Sequence, residues 1–148
     1  MKVAIGCDHR GIKTKKLIIE ILKKNGYEYK DFGCGEEETV DYPDIARDVA
    51  QAVAGSDYDR GILICSTGIG MCIAANKNDG IRAALCYNNF SAYRARHHND
   101  ANILCLGDTN KRNELKEMVA KFLKEPFDGG RHSKRIENIK AMENKTTS

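Results

Sequence analysis

The stretch ILICSTGIGMCIAANK, residues 62–77, joins an apolar run to a helical pattern through a glycine-rich turn. The run from Ile62 to Cys65 has the length and composition of a short strand that is buried on both faces. The turn Ser-Thr-Gly-x-Gly follows at once, and a helix is predicted from Met71 to Asn76. A strand that leads directly into a helix is the repeating unit of parallel α/β sheets, so Cys65 is expected at the carboxyl end of a strand.

Short apolar runs and helical segments alternate along the rest of the chain. Five strands are predicted at residues 2–7, 28–32, 61–65, 81–86 and 102–106. Further helices are predicted from about Gly11 to Lys24, from Pro43 onward, around Leu115 to Leu123, and after Pro126. We therefore predict an α/β fold, a single three-layer α/β/α Rossmann-like domain over residues 1–148, with a five-stranded parallel sheet, helices on both faces and a C-terminal helix.

Composition argues against several classes of partner. The net charge is only +3, and the basic surplus lies from Arg131 onward, which does not favour a nucleic-acid partner. No apolar stretch approaches the roughly 20 residues that span a membrane, and Asp8 interrupts the N-terminal run before a signal-peptide core could form. We expect a cytoplasmic protein without a membrane partner, whose six cysteines are free thiols. No Cys/His cluster has zinc spacing, so a structural metal site is not expected.

Polar residues follow four of the predicted strands. They are Cys7-Asp8-His9, Cys65-Ser66-Thr67-Gly68, Cys86-Tyr87-Asn88 and Gly107-Asp108-Thr109. In open parallel sheets, ligands bind outside the carboxyl ends of the strands. The functional site is therefore predicted at this edge of the sheet.

The turn after Cys65 has two interpretations. Backbone N–H groups of residues 66–70 can bind an oxyanion at the start of a helix, or the glycines serve only a tight turn. A dinucleotide site is not indicated, because Ile73 stands where the third small residue belongs. Cys65 is either a base or nucleophile favoured as a thiolate by the helix start, or a buried core thiol. Asp8 and His9 are either an acid/base pair, or Asp8 caps the first helix.

Two further groups leave the same choice open. His97 and His98 lie at the end of a short helix, where they are either functional or a solvated helix end, and Asn99 can end that helix in a left-handed conformation. Arg131 and Arg135 are four residues apart and share a helix face. They either clamp a phosphate or form a solvated basic face.

Taken together, these segments resemble the type B ribose-5-phosphate isomerase family, which also includes the galactose-6-phosphate isomerase subunits. The resemblance rests on GCDHRG (6–11), DYPD (41–44), GILICSTGIGMCIAANK (61–77), GIRAAL (80–85), HNDANILCLG (98–107) and GGRHSKRI (129–136). These six motifs occur in order and cover nearly the whole chain.

The resemblance implies an aldose–ketose isomerase of the nonoxidative pentose phosphate pathway. It would interconvert D-ribose 5-phosphate and D-ribulose 5-phosphate through a cis-enediolate, with no metal or other cofactor. Cys65 would move the proton between C2 and C1, and His98, helped by Thr67 and Asp8, would open the sugar ring. Further contacts to the substrate would come from His9, Tyr42, Ser66, Gly68, Ile69, Gly70, Asn99, Arg131 and Arg135.

In this family, the site is shared across a dimer, with the segment at His98 and Asn99 supplied by the partner subunit. The resemblance thus implies a homodimer or a dimer of dimers. Galactose-6-phosphate isomerase is a two-subunit enzyme, whereas this chain carries both Cys65 and His98, which favours a self-sufficient homo-oligomer.

The chain departs from the family pattern at three positions. Ser66 replaces a usual glycine, Thr109 replaces a usual phosphate-binding arginine, and Arg10 replaces a usual alanine. Arg10, Lys111 or Arg112 could supply the missing phosphate contact. These departures keep two alternatives open: an isomerase of a hexose phosphate such as allose 6-phosphate or galactose 6-phosphate, and a sugar-phosphate-binding protein without turnover.

Overall fold

A computed structural model describes residues 1–143, so the last five residues of the predicted domain lie outside it. The strands are β1 (Lys2–Cys7), β2 (Glu28–Asp31), β3 (Arg60–Ile64), β4 (Ala83–Leu85) and β5 (Ile103–Leu106). The helices are α1 (Ile12–Lys24), α2 (Tyr42–Ala54), α3 (Ile69–Ala75), α4 (Asn89–His97), α5 (Arg112–Lys124) and α6 (Arg131–Glu143). The strands form one parallel sheet in the order β2-β1-β3-β5-β4.

The prediction of a parallel α/β fold is confirmed, and the strand bounds differ from the predicted ones by up to two residues. The largest difference is in β4, which was predicted over residues 81–86. Arg82 does not join the ladder, because its backbone N–H donates to the side-chain oxygen of Asn102 at 2.8 Å. The N–H of Ile81 is likewise used in a turn, with the carbonyl of Asn78.

The sheet is covered on both faces, as predicted. On one face the apolar sides of α1, α4 and α5 pack against the sheet, with Ile18, Leu22 and Phe122 fully buried. On the other face α2 and α3 supply a second core that includes Val49 and Met71. No helix among residues 1–143 has the length and apolar character needed to cross a membrane.

The strands of the sheet end at one side, which we call the carboxyl edge, and begin at the other, which we call the amino edge. Because all five strands are parallel, the residues that follow β1, β3, β4 and β5 lie together at the carboxyl edge. Each crossover helix runs back toward the start of the next strand, so the C-terminus of α4 lies at the amino edge, where β5 begins. This separation decides where the predicted site residues lie.

Candidate active site

Cys65 directly follows β3 and has 5% of its surface exposed. Its Sγ accepts a hydrogen bond from the backbone N–H of Gly68 at 3.1 Å. A donor at this distance stabilises negative charge on the sulfur. The Ile69 N–H donates to Thr67 Oγ1, also at 3.1 Å, so two of the N–H groups expected to face an oxyanion are used within the turn.

The turn depends on a glycine at position 68. Gly68 has a φ of +79°, in the left-handed region that favours glycine. A Cβ at this position would lie 2.6 Å from Cδ1 of Leu85 and 2.8 Å from the carbonyl carbon of Leu106. Any other residue would therefore push the turn away from β4 and β5 and move the donor that faces Cys65.

Asp8 follows β1, the neighbour of β3, and lies on the same edge as Cys65. Its backbone N–H donates to the carbonyl of Ile64 at 3.2 Å, which joins it to the strand that ends at Cys65. Its Oδ1 accepts from the N–H of Arg10 at 3.0 Å, and its surface is 8% exposed. The helix-cap interpretation is wrong, because the N-cap residue of α1 is Gly11 and no side chain caps this helix.

Tyr42 completes this group from the first turn of α2. Its ring lies against Gly70, where an added Cβ would come within 2.7 Å of two ring carbons. His9 is exposed beside Asp8. The structure thus brings together Asp8, His9, Tyr42 and residues 65–70, and we call this group the Cys65 half-site.

A cleft of about 330 Å³ adjoins the Cys65 half-site, and two of the family departures line it. Its walls include Ser66, Thr67, Tyr87 and Thr109. These side chains offer hydroxyl groups and no charge. Arg112 is not among the lining residues, since it pairs with Glu20 on α1 at 2.8 Å.

His98 lies at the other edge of the sheet. It follows α4 and precedes β5. Two residues later, the backbone oxygen of Asp100 accepts a hydrogen bond from the side chain of Arg82, which lies just before β4. The five residues of β3 span roughly 16 Å at about 3.3 Å per residue. The structure therefore does not bring His98 and Cys65 together within one chain.

The His98 ring has partners on several sides. It stacks on the ring of His132 in α6, with centroids 4.1 Å apart and planes at 19°. Nη1 of Arg94 lies 2.7 Å from Nε2 and 3.2 Å from Nδ1 of the same ring. The pKa of His98 lies below its ordinary value, and partial burial is the largest cause. The neighbouring His132 and Arg94 lower it further, and Arg131 acts in the same direction.

Arg131 lies in the first turn of α6, and Arg135 follows one turn later on the same face. Both are exposed. Together with His98 and the exposed Asn99 they form what we call the His98 half-site. Asn99 does not end α4 in a left-handed conformation as predicted. Asp100 takes that conformation, with a φ of +45°.

The expectation that the histidine pair forms a solvated helix end is wrong for His97. This residue is 9% exposed, its Nε2 lies 2.7 Å from Glu125, and its Nδ1 contacts Asp128. The hydrogen bond with Glu125 raises the pKa of His97 above its ordinary value, opposed by burial and helped by Asp128. His97 therefore attaches the end of α4 to the segment between α5 and α6.

One group of side chains has the composition of a metal site. Ligand-type atoms of His98, Asp128 and His132 lie within 4.8 Å of one another. Two of the three already have partners, because Arg94 contacts the His98 ring and His97 contacts Asp128. The cationic groups around them disfavour a metal ion, and the absence of a metal stays a prediction.

Sequence reasoning missed several residues of these neighbourhoods. Arg94, Asp128 and His132 were not singled out, although Phe90, Arg94 and His98 recur every four residues along α4. Cys72 was also missed. The pKa of Cys72 is lowered to about 7, chiefly by a hydrogen bond with the Cys105 thiol. Burial opposes this shift, and a hydrogen bond with the backbone of Leu85 adds to it.

Comparisons with known proteins identify the family of the chain. The Ribose/Galactose Isomerase family matches residues 3–139. The chain is 46% identical to ribose-5-phosphate isomerase B of Escherichia coli (strain K12), a match that covers 96% of both chains. It is 48% identical to a putative sugar phosphate isomerase of Bacillus subtilis (strain 168), covering 98% of this chain and 99% of that protein.

Solved structures give the same result. Ribose-5-phosphate isomerase B of Clostridium thermocellum is 49% identical with a TM-score of 0.96, and the match covers 99% of this chain and 100% of that one. The Mycoplasma genitalium enzyme of the same name, solved with bound ribulose 5-phosphate, is 43% identical with a TM-score of 0.92, covering 98% and 97%.

Proposed function

The chain belongs to the ribose/galactose isomerase family, and we propose that it is an aldose–ketose isomerase that interconverts D-ribose 5-phosphate and D-ribulose 5-phosphate. The observation that carries this proposal is the turn at residues 65–70. It places a thiol at the carboxyl edge of the sheet, with a backbone N–H 3.1 Å from its sulfur. The family's place in the nonoxidative pentose phosphate pathway is part of the same proposal.

Cys65 acts as the base of the isomerisation. Its thiolate takes the proton from C2 of the open-chain aldose, and the electrons move to form a cis-enediolate. The proton of the O2 hydroxyl passes to O1 across the cis-enediolate, and the resulting thiol returns a proton to C1, which gives the ketose and restores the thiolate. The Gly68 N–H holds the sulfur in place, and the turn N–H groups other than those of Gly68 and Ile69 face the negative charge as it develops.

His98 opens the furanose ring before this step. Its neutral ring accepts the proton of the anomeric hydroxyl, and the imidazolium returns a proton to the ring oxygen as the bond from C1 to that oxygen breaks. His98 ends neutral, so the proton balance closes without a cofactor. Thr67 and Asp8 assist from the Cys65 half-site, where Asp8 is 8% exposed and joined to β3.

The remaining site residues bind the substrate. His9, Arg131 and Arg135 hold the phosphate, because two arginines on one helix face give charge-assisted hydrogen bonds to its oxygens. Tyr42 lies beside the sugar, supported by its contact with Gly70, and Asn99 binds sugar hydroxyls. The single isomerase domain predicted over residues 1–148 works in the cytoplasm.

The two half-sites meet only between subunits. Since they lie at opposite edges of one sheet, a second copy must bring its His98 half-site to the Cys65 half-site. Large apolar side chains exposed on α3, after β4, on α4 and on α6 support such a contact. They are Ile69, Ile73, Tyr87, Phe90 and Met142, each at least half exposed. The functional unit is thus a homodimer or a dimer of dimers.

The test is an isomerase assay of purified protein with EDTA present. Wild type should convert ribose 5-phosphate, and Cys65→Ala should lose at least about 100-fold in kcat, the usual contribution of a positioned base. Cys72→Ala is the matched control, because it removes a half-buried thiol from the following helix. Full activity in Cys65→Ala, or wild type active only on allose 6-phosphate or galactose 6-phosphate, would contradict the proposal.

A further inference from the structure

Three side chains form a line along the exposed face of α4 and end at His98. Phe90, Arg94 and His98 are spaced four residues apart, so they project from the same side of the helix. The guanidinium carbon of Arg94 lies 5.0 Å from the centroid of the Phe90 ring, which supports it as a cation–π contact. On its other side, Nη1 of Arg94 lies 2.7 Å from Nε2 of His98.

This contact restricts the protonation state of His98. A guanidinium has only N–H donors, so a ring nitrogen that bonds to it must be the acceptor. A protonated imidazole has no acceptor nitrogen, and its positive charge would be repelled by Arg94. The contact therefore favours the neutral ring, and Nη1 lies close enough to bond to either ring nitrogen, 2.7 Å from Nε2 and 3.2 Å from Nδ1.

The other charged groups around His98 act in both directions. His132 and Arg131, both from α6, disfavour a second positive charge at the ring, whereas Asp128, from the segment before α6, favours it. Asp128 is itself in contact with His97, which draws its carboxylate toward that residue. Arg94 lies on α4, the helix that leads into His98. Its positive charge there opposes the effect of the Asp128 carboxylate on the His98 ring.

We propose that Arg94 is a positioning residue, which keeps the His98 ring neutral and in one orientation until the anomeric hydroxyl of the substrate takes its place at the ring nitrogen. The proposal rests on the function proposed above. It assigns a role in ring opening alone, because Arg94 contacts the His98 half-site and the proton transfer between C2 and C1 belongs to Cys65. No proton passes through Arg94.

Two reactions separate these steps. Turnover of ribose 5-phosphate needs ring opening, whereas ribulose 5-phosphate cannot close to a furanose because its C5 oxygen carries the phosphate. Uptake of deuterium from D2O at C1 of ribulose 5-phosphate, followed by NMR, therefore reports the Cys65 step without ring opening. Arg94→Leu should lower kcat/KM for ribose 5-phosphate by about 10-fold and leave the deuterium uptake within about 2-fold of wild type.

The acidic limb of the pH profile is a second readout. Ring opening requires neutral His98, so kcat/KM for ribose 5-phosphate falls as the pH drops through the pKa of His98. Without Arg94 that limb should shift upward by about half a pH unit, as expected for a screened charge pair. Arg94→Lys should restore most of the shift, and Arg47→Leu, which removes an exposed arginine paired with Asp44 and Asp48 on α2, should show none.

An NMR titration of the His98 ring in the intact protein completes the test. The titration does not depend on turnover, so it tests the role of Arg94 even in a protein without activity. Inactivity of the wild type on both sugar phosphates would instead overturn the proposed function. An upward shift of the His98 titration in Arg94→Leu supports the proposal. An unchanged titration, or equal losses in ribose 5-phosphate turnover and deuterium uptake, would overturn it.

Discussion

A pair of inactive variants can test whether one site is built from two chains. Cys65→Ala removes the base, and His98→Asn removes the ring-opening group. Each homodimer carries its defect in both sites. A heterodimer of the two variants, isolated through two different affinity tags, has one site with both defects and one site with neither, if His98 is supplied by the partner.

The structure gives the expected magnitude. Cys65 and His98 lie at opposite edges of the sheet, whose strand β3 spans roughly 16 Å, and proton transfer needs about 3 Å between heavy atoms. No side chain closes that gap within one chain. The heterodimer should therefore show about half of the wild-type kcat with an unchanged KM, because one of its two sites is intact.

The assay is ribose 5-phosphate turnover by the purified heterodimer, compared with both variant homodimers and the wild type. A doubly tagged wild-type dimer is the control for the tags and the purification. If the heterodimer is as inactive as the two homodimers, the shared-site reasoning is refuted. A heterodimer with full wild-type activity would also refute it, since one of its sites must carry both defects.

Two further predictions follow from perturbed pKa values. The pKa of Cys72 is lowered to about 7, whereas burial raises the pKa values of Cys7, Cys86 and Cys105, so iodoacetamide should label Cys72 before these three thiols, at a rate that rises through neutral pH. Mass spectrometry should show the midpoint of this pH dependence moving upward in Cys105→Ala, and an unmoved midpoint would contradict the assigned hydrogen bond. The pKa of His97 is raised, so its pairing stabilises the fold fully below its ordinary value of 6.5 and the stabilisation is lost as the pH rises through the raised pKa. His97→Gln should therefore cost no more than about 1 kcal/mol in the free energy of unfolding, because the two carboxylates are partly exposed, and urea titrations should show this cost shrinking with rising pH rather than growing.

Much of the fold follows from short-range patterns. The apolar run before Cys65 and the glycine turn after it predict a strand that leads into a helix, and the structure has both. The alternation of strands and helices along the chain then predicts a parallel sheet, because crossover helices allow few other arrangements of the strands. The end of α4 was less predictable, since Asp100 rather than Asn99 adopts the left-handed conformation.

The site was predictable where it follows strand ends, and less so where it depends on distant contacts. Asp8 and Cys65 lie together because their strands are neighbours. The burial of His97 depends on Glu125 and Asp128, which are 28 and 31 residues away. Arg94 was missed because an exposed arginine on a helix ordinarily has no specific partner.

The placement of two half-sites at opposite edges of one sheet has an evolutionary consequence. After a gene duplication, one copy could lose its Cys65 half-site and the other its His98 half-site, and the pair would still assemble one complete site. Each copy would then need the other, and a self-sufficient homodimer would become an obligate heterodimer without any new catalytic group. The same geometry that makes two identical chains cooperate in one reaction thus leaves each half free to change its substrate contacts separately.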